Sequence, residues 1–125
     1  MNPFTSRLAW MAALFLFVFL SGLWLYRAGR PINTVVLTIH KLIALGTLIF
    51  IGVTIHQVNQ VTALSAAAWI AVVITGILFV VTIIAGGLLS LDEPVSAASI
   101  VHKAGPFLTV ASTTVTMYFL ASPQP

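Results

Sequence analysis

The chain has 125 residues, of which 6% are charged and 60% hydrophobic, with no cysteine and a formal net charge of +3. Ordinary soluble domains carry roughly a quarter charged residues, so this composition describes one integral membrane domain over residues 1–125, its core made by helices packing in lipid. Lacking cysteine, the chain is excluded from disulfides, thiolate zinc, iron-sulfur clusters and covalently attached haem. Its five Lys and Arg residues are scattered rather than gathered into a run, which argues against nucleic acid and marks them as topology signals.

A helix needs about 20 mostly apolar residues to cross the hydrocarbon, and four stretches meet that length: approximately 8–26, 35–58, 64–91 and 95–121. The first, Leu8 to Tyr26, holds no charge and stops at Arg27-Ala28-Gly29-Arg30-Pro31. It is long for a signal-peptide core and lacks an Ala-x-Ala site, so it is expected to be a permanent helix; no lipidation motif accompanies it. The second contains His40, Lys41 and His56 and closes through Asn59, Gln60 and Thr62. The third carries Gly86-Gly87 near its end. Asp92-Glu93-Pro94 then reads as a start signal for the fourth helix, which Pro106 is expected to kink and after which Pro123 and Pro125 stop the chain.

Short links between four spans predict an all-α, four-transmembrane-helix bundle running up-down-up-down. Arg27, Arg30, Lys41 and Lys103 fall on the side of the first and third links, with Arg7 opposite, so the positive-inside rule places both termini outside a prokaryotic inner membrane. Trp10, Trp24, Tyr26, Trp69 and Tyr118 lie near helix ends, as an interfacial aromatic belt requires.

The chain reads as two duplicated helical hairpins. A shift of 62 residues superposes His40 on His102, Lys41 on Lys103, Thr47 on Thr109 and Thr54 on Thr116, and Pro31 meets Pro94 after a one-residue gap. In this topology the second and fourth helices are parallel, and each histidine stands about 8–10 Å along its helix. An isolated membrane histidine is most simply read as a hydrogen bond across the bundle; two at matched depth point to a shared metal.

Two neutral imidazoles from facing helices are the axial pair of a low-spin haem b, whereas zinc would demand further ligands and a carboxylate di-iron site would demand glutamates inside the spans. His40 and His102 are therefore the expected metal ligands. Lys41, Lys103, Arg27 and Arg30 are the candidates to hold the haem propionates, with snorkelling to the interface as the alternative for the two lysines. Thr47 and Thr109, seven residues beyond the histidines, would meet a polar cofactor edge or bond back to their own helices. Small residues such as Ala44, Gly46, Ala104 and Gly105 would admit close approach of backbones or a flat ring. His56 lies sixteen residues past His40, about 24 Å along the helix, and is expected to bond at the opposite interface. A second haem held by His56 and Met117 is the weaker alternative there.

Paired helical histidines in a compact four-helix membrane bundle resemble small cytochromes of the b type, including anchor subunits that exchange electrons with quinones. The resemblance covers the bundle and His40 with His102. Dihaem members carry two histidines on each of two helices, so the departure here implies one haem. It implies electron transfer, with quinone as a candidate substrate, in a homo-oligomer or a subunit of a larger respiratory or photosynthetic complex rather than a stand-alone enzyme. Two classes compete: a small transporter, although the spans hold none of the carboxylates that such proteins use, and a cofactor-free structural subunit. No phosphate-binding glycine loop, His-Glu-x-x-His pattern or serine triad is present.

Overall fold

A computed structural model describes residues 2–122; Pro123 and Pro125, expected to end the chain, lie outside this range. The fold is all-α, with four helices: α1 (Pro3–Ala28), α2 (Thr34–Val61), α3 (Ala66–Leu89) and α4 (Ser96–Ala121). Each has 24 to 28 residues and is long and apolar enough to cross a membrane. At about 1.5 Å per residue they exceed the roughly 30 Å of hydrocarbon by about one to two turns, which carries their polar ends into the headgroup zone. Compared with the sequence expectation, α1 begins five residues earlier. Asn2 accepts from Thr5 N–H at 2.8 Å and Pro3 sits at the helix start, so the polar run through Arg7 is absorbed into the first two turns.

The other boundaries follow similar local chemistry. Asn33 starts α2 by accepting from the amides of Val35 and Val36 at 3.0 and 3.1 Å. Ser65 accepts from Ala68 N–H at 3.2 Å and starts α3. The acidic pair before α4 does not cap it: the N-cap is Val95, without a side-chain bond, and Asp92 and Glu93 stay exposed in the preceding link. Pro106 lies within α4, which remains one continuous element. It has no amide to offer the carbonyl of His102 one turn earlier.

The residues fall into two compact units, one through Thr54 and one from Ile55, with α2 contributing to both. The first unit is built on the α1·α2 hairpin and the second on α3·α4. Large aliphatics cover the outside, as lipid permits: Val35, Ile70 and Ile100 are exposed, while Thr47 and Thr116 show no accessible surface. The buried set is rich in small and hydroxyl-bearing residues, with Ala68, Ala71, Ala85, Ala98 and six threonines beside larger side chains such as Met11, Ile51, Phe79 and Met117. Without a hydrophobic drive between helices, close backbone approach and satisfied hydroxyls hold such hairpins together. The five belt aromatics are all exposed.

Candidate functional site

His40 and His102 each stand six residues after the first residue of their helix, and each packs onto the preceding helix of its own hairpin. The backbone there is glycine in both cases. A Cβ built on Gly22 would lie 3.1 Å from Cε1 of His40, and one built on Gly86 only 2.6 Å from Cε1 of His102. The imidazole thus occupies the volume that any other residue would fill with its own side chain. Both rings are half-buried.

The ring nitrogens are held as well. Nδ1 of His102 lies 2.9 Å from the carbonyl oxygen of Thr82. A carbonyl only accepts, so Nδ1 carries the proton, and the neutral ring has its lone pair on Nε2. Nδ1 of His40 lies 2.9 Å from Oγ of Ser21, whose hydroxyl is 2.7 Å from the carbonyl of Phe17 and 3.1 Å from that of Val18. A serine hydroxyl can accept from Nδ1 or donate to it; where the Ser21 proton goes to the Phe17 carbonyl, His40 donates through Nδ1 and shares the tautomer of His102. This is the arrangement common among metal-binding histidines: one nitrogen fixed by an outer acceptor, the other basic.

The other candidates are placed as follows. Lys41 and Lys103, one residue beyond the histidines, are exposed, as are Arg27 and Arg30 at the end of α1 and in its link. Thr47 and Thr109 are buried, and their hydroxyls donate to the carbonyls of Ile43 at 2.7 Å and Gly105 at 2.8 Å. Of the two roles open to them from sequence, the bond back to their own helix is the one observed. A Cβ added at Gly46 would point into open space, whereas Gly105 takes the side chain of Thr82. His56 is exposed and Met117 buried. His40 belongs to the first unit and His102 to the second.

The glycine seats escaped the sequence reading because a single 62-residue shift sets Gly22 against Ile84. The first and third helices are related instead by 64, which brings together Leu14-Phe15 with Leu78-Phe79, buried Met11 with buried Thr75, and Gly22 with Gly86. The shift falls through 63 at the prolines to 62 at the histidines, so the interval from glycine to histidine is 18 residues in one hairpin and 16 in the other. Allowing the link to change length would have exposed the signal.

Among the described residues no three His, Asp or Glu side chains cluster to hold a metal by themselves. A pair of imidazoles fits a metal whose remaining positions come from a macrocycle, and haem b has that donor requirement. The chain is an integral membrane protein with four candidate spanning helices. It matches no protein-family model, no curated protein and no solved structure.

Proposed function

We propose that this protein is a membrane b-type cytochrome, alone or as the haem-bearing subunit of a larger complex, with His40 and His102 as the axial ligands of one haem b. The observation that carries the reading is the matched state of the two rings: each is seated on a glycine of the preceding helix and each has Nδ1 engaged within its hairpin. For His102 that engagement leaves Nε2 as the basic nitrogen and orients it, and the Ser21 hydroxyl allows the same for His40, which is what haem iron would ask of the residues that hold it. Haem b supplies reversible one-electron chemistry when bound. The chain's own residues would bind and orient it: His40 and His102 would hold the iron, and Lys41, Lys103, Arg27 and Arg30 would offer cations to the propionates. If His40 and His102 both held the iron they would leave it no free position for oxygen, so electron exchange with a quinone or a redox partner is the function proposed.

The scattered basic residues support the further proposal that both termini face outward and that His40 and His102 lie toward the cytoplasmic side. The competing reading, in which the imidazoles serve only helix packing, draws on the same contacts. Colour separates the two. The protein purified in mild detergent after expression with ample haem should give a split low-spin b-type signal on reduction, lost in His40→Ala and in His102→Ala and kept in His56→Ala. A folded, monodisperse and colourless parent protein would end the cytochrome reading.

A further inference from the structure

We infer that Gly86 and Gly22 are positioning residues for the two imidazoles, and that the seats differ in strictness: His102 requires glycine at 86, whereas His40 tolerates alanine at 22. The spectral part of this inference rests on the ligand reading above; the steric part does not.

The argument is one of contact distances. At Gly86 an added methyl would stand 2.6, 3.0 and 3.3 Å from Cε1, Nδ1 and Nε2 of His102, inside the contact limit for every ring atom near it. The ring has no easy retreat, since Nδ1 is tied to the Thr82 carbonyl of the same helix, one turn before Gly86. Moving the ring away from the methyl therefore stretches that bond and swings Nε2. At Gly22 the corresponding distances are 3.1, 3.7 and 3.9 Å, so a shift of a few tenths of an ångström relieves the contact. The partner of His40 is also a hydroxyl that rotates about its own side-chain bond, and it follows a small ring movement in a way that a helix carbonyl does not. Gly87, next in sequence to Gly86, has nothing within 4 Å of an added Cβ and serves as the control.

The experiment compares Gly86→Ala, Gly22→Ala and Gly87→Ala in the full chain, purified as expressed. The expected result is loss of most low-spin haem signal per protein in Gly86→Ala. Gly22→Ala should keep its haem with a shifted low-spin electron paramagnetic resonance signal, which reports axial ring orientation, and Gly87→Ala should match the parent. Equal retention of parental haem and resonance by Gly86→Ala and Gly87→Ala would overturn the inference.

Because misfolding of Gly86→Ala would also cost haem, a double-mutant cycle with His102→Ala accompanies it. Once the imidazole is gone the methyl has room, so Gly86→Ala should leave the melting temperature of His102→Ala unchanged while lowering that of the parent. An equal drop in both backgrounds would show that the glycine serves backbone packing alone, and would overturn the seat. A colourless parent would defeat the haem reading only, since the cycle and the 15N shifts of the His102 ring still test the seat: Nδ1 should read as protonated in the parent and change in Gly86→Ala.

Discussion

Thr82 brings two polar groups into the α3·α4 contact, and only one of them is satisfied. Its carbonyl accepts from His102, while its hydroxyl is buried against Gly105 without a hydrogen-bond partner. Thr47, Thr54, Thr109 and Thr113, by contrast, donate back to their own helices. An unmet buried hydroxyl costs about 1–3 kcal/mol, and replacing it with an apolar group of the same shape removes that penalty. Thr82→Val should accordingly leave the protein equally stable or stabilise it by up to about 2 kcal/mol, measured by unfolding in detergent. A loss of stability, or a change in any haem spectrum, would mean that the hydroxyl has a partner in the working protein. At this scale the histidines were legible from the sequence because charge and imidazole are rare in lipid-facing helices. The residues that seat them were not, because glycine is common in membrane helices and Gly46, Gly52, Gly76 and Gly87 have open space where Gly22 and Gly86 meet a ring.

The helix starts show which local signals carry information in a membrane chain. Asn33 satisfies two amides of the first turn of α2, the helix that carries His40 six residues in. Asn33→Ala should cost about 1 kcal/mol of stability and fray the turn before His40, whereas Asn33→Asp should retain most of the cap. Hydrogen exchange at Val35 and Val36 reads the fraying directly, and unchanged exchange in Asn33→Ala would show the cap to be dispensable. The four spans and their order were legible because about 20 uncharged apolar residues admit few other readings. The ends were less so: Asn2-Pro3 outweighed the polar run after it, and Asp92-Glu93 remained in the link despite its favourable composition. The second hairpin also holds a device the repeat did not foretell. Thr75 shares hydrogen bonds with Ser112 at 2.5 Å and Thr116 at 2.9 Å, tying α3 to α4, while the matching Thr54 bonds only to Phe50 of its own helix. The difference lies in the preceding helices, where Met11 stands at the position of Thr75 and has no hydroxyl to offer.

For the whole molecule, the proposed cytochrome acts on one side of the membrane, and the side follows from the orientation of four helices. Arg27 and Arg30 flank the link between α1 and α2, and Lys103 follows the link between α3 and α4, whereas the link between α2 and α3 holds no basic residue. The positive-inside rule then predicts that the first and third links lie in the cytoplasm and the second outside. Because the chain contains no cysteine, single substitutions provide clean labels. In intact cells a membrane-impermeant thiol reagent should modify Thr62→Cys in the second link and leave Ala28→Cys, at the exposed end of α1, and Ser90→Cys protected until the membrane is opened. The reverse pattern would place His40 and His102 toward the outside and move the expected electron partner with them. It would not touch iron ligation, which the spectra test independently. Orientation and ligation thus stand on separate observations, one on where five cations fall and the other on how two imidazoles are held.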